Sequence, residues 1–210
     1  MMSLPTPVRI YESRRAPNPR RVGVFLAEKG VGVERVELDI MSGQHFQEEH
    51  LSRAGTHQIP VIELSDGTFL SETVAICRYL EALYPDPNLM GSHPMEAAQI
   101  EMWQRRVEMG LLLNIAQVIR HTIPAMNALE HVQVPEWGEA CKPRVEKSLR
   151  DLNARLEVSP FVACDRFTIA DITASVAIGF MRVLRQSPPE DCVALNTWFA
   201  NVKERPSSSA

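Results

Sequence analysis

The chain has only 4 cysteines in 210 residues, Cys77, Cys141, Cys164 and Cys192, and no CxxC pair. That spacing argues against a disulfide framework and fits a reducing, cytoplasmic setting. No apolar run is long enough to span a bilayer, and the opening MMSLPTPVRIYESRR lacks the apolar centre of an export leader. A basic excess is missing too. The 22 Lys+Arg face 26 Asp+Glu for a formal charge of -4, so the chain is a poor match for nucleic acid phosphates. None of the 6 histidines forms an HxH or HxxxH pair, which argues against a metal site. Internal repeats and low-complexity tracts are also absent. What remains is ordinary globular composition, 45% hydrophobic and 23% charged, enough for one large domain or two small ones.

The first third alternates strand and helix signals. Val8-Arg9-Ile10-Tyr11 alternates apolar and polar residues and predicts a short strand. Asn18-Pro19 is the expected helix start, with Asn18 as cap and Pro19 at the first helical position, where a missing N–H costs nothing. Val22, Phe25 and Leu26 form its apolar stripe, and Gly30 ends it. Val36, Leu38 and Ile40 alternate with acidic residues as a second strand, and a linking segment follows. Asp66-Gly67 between two apolar runs signals an antiparallel hairpin of residues 61–64 and 68–70. Ile76, Tyr79, Leu80 and Leu83 predict a helix that stops at Tyr84-Pro85. The order β-α-β then β-β-α is that of a small α/β layer domain over residues 1–84.

Pro85-Asp86-Pro87-Asn88 breaks that pattern, and a linker is read over residues 85–92. Residues 93–210 carry helical periodicity and almost no strand signal. Ile100, Trp103, Val107, Leu111, Asn114 and Val118 predict one long helix, ended or kinked at Pro124. A second runs from about Glu136 to Leu156, a third starts at Thr168, and a last one carries Leu195, Trp198, Phe199 and Val202. Thr168 with Asp171 three residues on reads as a capping box, a folding feature. The fold class is therefore α/β followed by an all-helical bundle.

Three motifs stand in order on this frame. They are Pro17-Asn18-Pro19-Arg20-Arg21-Val22 after the first strand; Gln58-Ile59-Pro60-Val61 followed by Glu72-Thr73; and Asp165-Arg166-Phe167-Thr168-Ile169-Ala170-Asp171. With them the chain resembles the cytosolic glutathione transferase superfamily over nearly its whole length. It looks most like an atypical fungal and bacterial branch that lacks the usual Ser, Tyr or Cys. The resemblance implies a thioredoxin-like first domain that binds glutathione as co-substrate, with no metal. It also implies a homodimer acting on small apolar electrophiles in cytoplasmic detoxification.

The residues carry a physical reading beside this. A cis Ile59–Pro60 bond, expected here, would present the Ile59 main-chain N–H and C=O to a peptide added as a short strand. Glu72 and Thr73 start a helix, where open amides and the positive dipole end attract a carboxylate. The Thr73 hydroxyl can donate to that carboxylate while Glu72 takes an ammonium, or the two can simply cap the helix. The family more often has Ser at the position of Thr73, and Gly where Cys164 stands. His45, His57 and Gln58 fall where relatives contact the rest of glutathione, including its glycyl carboxylate.

The chemistry needs a thiolate. Lowering a thiol from about 8.5 to about 6.5 raises its ionised share at neutrality from about 3% to about 75%, a stabilisation of about 2.7 kcal/mol. By alignment, the usual hydroxyl position holds Ala16, which has no donor. Three replacements stay open: the Ser13 hydroxyl; Asn18 with the first amides of its helix, helped by Arg20 and Arg21; and His121. The resemblance implies a water-assisted role for His121 with Asn127 beside it, whereas a helix-end histidine can equally serve as a cap. Trp103, Arg106, Met109, Gly110 and Leu113 are the expected lining for the electrophile. The reading is a glutathione transferase. The alternatives are a non-catalytic or regulatory glutathione-binding protein on the same fold, or a glutathione-dependent isomerase or peroxidase.

Overall fold

The computed structural model describes residues 4–210, so the first three residues of the segment read for a leader lie outside it. The chain divides into two compact units, one running to Pro87 with Ser209–Ala210, the other Asn88–Ser208.

The first unit contains β1 (Pro7–Glu12), α1 (Pro17–Glu28), β2 (Glu34–Glu37), α2 (Glu48–Ala54), β3 (Val61–Leu64), β4 (Phe69–Ser71) and α3 (Thr73–Leu83). Its sheet has the order β2-β1-β3-β4. β1 and β2 are parallel, as a crossover through α1 requires, and the β3–β4 hairpin is antiparallel. Ile10 and Ile62 face each other in register and are fully buried with Val22, Phe25, Ile76 and Leu80, the inner stripes of α1 and α3. The opposite face carries Tyr11, whose ring lies under the Arg53 guanidinium of α2 at 4.6 Å. Helices thus cover both faces.

Three local expectations are corrected. Helix α1 starts at Pro17 with Ala16 as its N-cap and no side-chain cap, so Asn18 sits inside the helix instead of capping it. Pro17 has the preset φ for the first helical position, and Ala16 N–H closes a turn onto Ser13 C=O at 2.9 Å. Strand β2 lies two residues earlier than the alternation indicated. Past Glu37, Asp39 Oδ1 accepts from the Met41 and Ser42 amides and curls the chain into a turn. The expected linking segment holds a 3-10 turn (Gln44–Phe46) and α2, whose seven residues bury only His50. A helix that short shows no periodic stripe.

The second unit contains α4 (Pro94–Val107), α5 (Leu113–Thr122), α6 (Pro135–Leu156), α7 (Ile169–Phe180) and α8 (Val193–Lys203). The expected single long helix is α4 and α5 joined by a π-turn, Glu108–Leu112. Its loosened carbonyls are taken up by side chains. Asn114 Nδ2–H donates to Met109 O at 3.0 Å and Gly110 O at 2.8 Å, and the Ser148 hydroxyl of α6 donates to Gly110 O at 2.9 Å. Among the described residues, no helix is long and apolar enough to cross a membrane.

At the start of α7 the Asp171 carboxylate reaches back to the Thr168 amide, as its spacing predicted. It is fully buried and accepts four hydrogen bonds, from the Thr168 amide and hydroxyl, the Val162 amide and Trp198 Nε1–H. Burial pushes it up to about 6 despite these donors. Asp171→Ala strands all four donors, and urea unfolding should show a loss of about 3–5 kcal/mol. The folded chain holds this proton more tightly than the unfolded one, whose Asp titrates near about 4. The contribution of Asp171 therefore grows as pH falls through about 6 and is complete below about 4. The stability gap between the parent and Asp171→Asn should widen over that window; a narrowing would contradict the assignment.

Candidate functional site

The strand register decides which loops meet. Tyr11 of β1 is paired with Val61 of β3, Val61 with Ser71 of β4, and Glu12 with Glu37 of β2. The C-terminal ends of β1, β2 and β4 and the N-terminal end of β3 therefore share one end of the sheet. Residues 13–16, 38–47, 55–60 and 72–73 all emerge there, which brings the expected binding residues His45, His57, Gln58, Ile59, Glu72 and Thr73 to one place.

Ile59–Pro60 is cis, as expected. Among the described residues, neither the N–H nor the C=O of Ile59 enters a backbone hydrogen bond, although Val61 two residues on is already in the ladder. A donor and an acceptor are thus open to an extended ligand. Strand β4 ends at Ser71 and α3 begins at Thr73, so Glu72 alone makes the turn. It does so at φ 69 and ψ 114, a conformation that costs a non-glycine residue about 1–3 kcal/mol. No side chain caps α3, and Glu72 is exposed while Thr73 is buried. The first amides of α3 remain available to an anion.

The histidines brace this end of the sheet. His45 is buried and stacks on Phe46 with ring centroids 3.9 Å apart, and Phe46 meets the His57 ring edge-on at 5.3 Å. His57 Nδ1 donates to the His45 carbonyl at 3.2 Å. His50, on α2, is 2% exposed and its Nε2 donates to the Gln58 carbonyl at 2.9 Å. The loop carrying Gln58 and Ile59 is therefore held from below by a histidine that sequence reading passed over.

Beside it, the β1–α1 loop is tied to β2. Glu37 accepts the Ser13 hydroxyl at 3.1 Å and the Arg14 amide at 3.2 Å. Glu12 is fully buried and bonded to Arg35 at 2.9 Å, and its burial raises its pKa while Arg35 opposes the rise. Arg35 reaches it across Gly23 of α1, where an added Cβ would stand 3.1 Å from Nη1. The Ser13 hydroxyl, a candidate for thiol activation, is thus spent on Glu37. Ala16 offers no donor, and the exposed Asn18 accepts at Oδ1 from Arg21 Nη1 at 3.1 Å.

Residues 6–82 match the family model described as the N-terminal domain of glutathione S-transferase, and residues 122–206 match its C-terminal domain. Glutathione S-transferase 2 of Saccharomyces cerevisiae is 33% identical over 201 residues, 94% of this chain and 86% of that one. The chain belongs to the glutathione S-transferase family. Two solved structures agree over both units. The yeast Gtt2 crystal structure superposes with a TM-score of 0.92 at 33% identity, covering 96% of this chain and 99% of that one. A glutathione S-transferase domain-containing protein from Marinobacter aquaeolei also gives a TM-score of 0.92, at 35% identity, covering 95% of this chain and 99% of that one. The first unit is thus the thioredoxin-like domain of the family, and the second its helical domain.

Within the helical unit, His121 lies at the end of α5. Its Nδ1 accepts from the Val134 amide at 3.1 Å, so Nε2 carries the proton and points to Gln117 Oε1 at 3.2 Å. Gln117 Oε1 also accepts Trp137 Nε1–H at 2.9 Å, which ties α5 to the start of α6. Asn127 is exposed in the 3-10 turn after Pro124. Of the expected electrophile lining, Trp103, Arg106, Met109 and Gly110 border a cleft of about 560 Å³ with Ser148, Asp151 and Leu152 of α6, and Leu113 is not part of it. The cleft is lined in part by the π-turn, which the periodic pattern of apolar residues does not reveal.

The tether from His50 gives a measurable expectation. His50→Ala leaves a buried gap and an unpaired Gln58 carbonyl, so stability should fall by about 2–3 kcal/mol. Amide exchange in residues 55–59 should accelerate more than exchange in α3. Equal acceleration in both would show that His50 does not single out that loop.

Proposed function

We propose that this chain is a glutathione transferase that attacks small apolar electrophiles with the thiolate of glutathione. The reading is carried by the open N–H and C=O of Ile59 beside the uncapped start of α3. The glutathione backbone pairs with Ile59 as a short antiparallel strand. Its γ-glutamyl carboxylate takes the Thr73 hydroxyl and the α3 amides, and Glu72 takes its ammonium. His45, His57 and Gln58 receive the glycyl end. Asn18 and His121 support the thiolate, His121 through water, while Ser13 holds the loop through Glu37. Glutathione is a co-substrate, and no metal takes part. The same reading gives a cytoplasmic detoxification enzyme acting as a homodimer.

The parent chain should be retained on immobilised glutathione and should conjugate chlorodinitrobenzene. Thr73→Val should raise KM for glutathione about 10-fold, the loss of one charge-assisted hydrogen bond, with little change in kcat. His121→Ala should raise the apparent pKa of the reaction and lower kcat with glutathione affinity kept. An unchanged pH profile removes His121 from the mechanism. Retention without conjugation favours a non-catalytic glutathione-binding protein, for which Ala16 at the usual hydroxyl position is the supporting observation. Lack of retention overturns both readings.

The homodimer has its own support. Met95, Met102 and Met109 are exposed at seven-residue spacing, two turns apart, and Leu113 continues the stripe. A second copy laid antiparallel about Met102 would bury this face. The parent should sediment as a dimer and Met102→Glu as a monomer. A monomeric parent overturns the assembly.

A further inference from the structure

Helix α1 begins with no side-chain cap, and Pro17 and Pro19 lack two of the amides that a helix start ordinarily offers. The Ala16 amide is spent on Ser13 O and the Arg20 amide on Ala16 O. Of the main-chain amides in the first turn this leaves the Asn18 N–H, beside the Asn18 side chain. Arg21, one turn further on, is 1% exposed, and its Nη1 donates to Asn18 Oδ1 at 3.1 Å. A guanidinium only donates. The Asn18 atom that faces it is therefore the oxygen, and the NH2 group is left to face outward. With the opposite amide orientation, Asn18 would present an acceptor to an approaching sulfur. In this one it presents a donor.

We propose that Arg21 is a positioning residue for ionisation of the glutathione thiol: it fixes the Asn18 amide so that Nδ2–H donates to the thiolate, in place of the hydroxyl missing at Ala16. This rests on the reading of the site as glutathione's and assigns its activating group. The S–H bond of bound glutathione breaks with the proton passing to water, and the thiolate accepts the Nδ2–H bond. A carbon–sulfur bond then forms as the electrophile's leaving group departs with its electron pair. Nothing is oxidised, and no further reactant is needed. The guanidinium lies near the positive end of the α1 dipole, which is unfavourable for a cation and favourable for an anion placed there. The other charged groups of the β1–α1 loop, α1 and β2 at this end are Glu12, Arg14, Arg15, Arg20, Arg35 and Glu37. They are the same in every variant below and so act equally on each titration.

The test titrates the ultraviolet absorbance of the bound thiolate in the full chain and measures glutathione binding by calorimetry alongside it. Arg21→Met should raise the thiol pKa by about one unit and lower kcat about 10-fold near neutrality, with glutathione affinity within about two-fold. Arg21→Lys should recover part of the shift. Asn18→Asp keeps the acceptor for Arg21 while replacing the donor with a carboxylate oxygen, so it should raise the pKa further. Because Asn18 is exposed, that variant keeps the proposal testable if Arg21→Met does not fold. In an Asn18→Ala background, Arg21→Met should add no further shift. An unshifted pKa in Arg21→Met or Asn18→Asp with glutathione still bound overturns the positioning role alone, as does full additivity of the two changes. Absence of glutathione binding by the parent overturns the reading beneath it.

Discussion

The pairing of β1 with β3 and of β3 with β4 is the constraint on which the candidate site depends. Ile10 and Ile62 are paired across that ladder and fully buried. A slip of one residue would turn each strand's apolar set to the other face. The core therefore pins the register, and the register in turn places Ser13–Ala16, Ile59–Pro60 and Glu72–Thr73 at one end of the sheet. The site inherits its precision from apolar packing that touches no ligand. The unusual turn at Glu72 belongs to the same account, because a single residue joins β4 to α3 and the packed elements on both sides hold it at positive φ.

Polar chemistry then refines what packing positions. Side chains around the loops bond largely to main chain: the buried His50 to Gln58 O, and the more exposed His57 and Glu37 to His45 O and the Arg14 amide. Each bond immobilises backbone and leaves other donors and acceptors facing outward. Charge is handled in the same local way. The formal charge of -4 says nothing about a site where an anion would meet helix amides, a threonine hydroxyl and histidines. Glu12 illustrates the converse, since it lies at this end of the sheet but is buried against Arg35, where it ties the end of β1 to β2.

The helical unit follows the same logic with other parts. Asp171, buried with four donors around it, fixes the start of α7 against the preceding loop and α8 through Val162 and Trp198. The π-turn between α4 and α5 survives because Asn114 and Ser148 satisfy the carbonyls it frees. Removing an intrahelical bond in a buried stretch is costly unless a side chain replaces it. Two polar residues on different helices, unremarkable as sequence, thus permit a break in the helix.

Period-two and period-3.6 patterns, the Asp66-Gly67 turn and the capping pair Thr168–Asp171 determine the α/β-then-helical order by themselves, because each rests on local backbone chemistry. The motifs around Ile59-Pro60 and Glu72-Thr73 were legible for a related reason: prolines and helix starts constrain the chain wherever they occur. Short or interrupted elements were not legible. Helix α2 is too brief to show a stripe, the π-turn inserts itself into an unbroken apolar pattern, and α1 starts at Pro17, one of two prolines that compete for the same role. The partners of individual side chains belonged to tertiary structure alone. Ser13 and Asn18 both looked available beside Ala16, but only the fold could give the Ser13 hydroxyl to Glu37, 24 residues away, and turn Asn18 by means of a buried arginine. Hydrogen bonds depend on positions to within a fraction of an ångström, and local sequence patterns do not supply these; packing does.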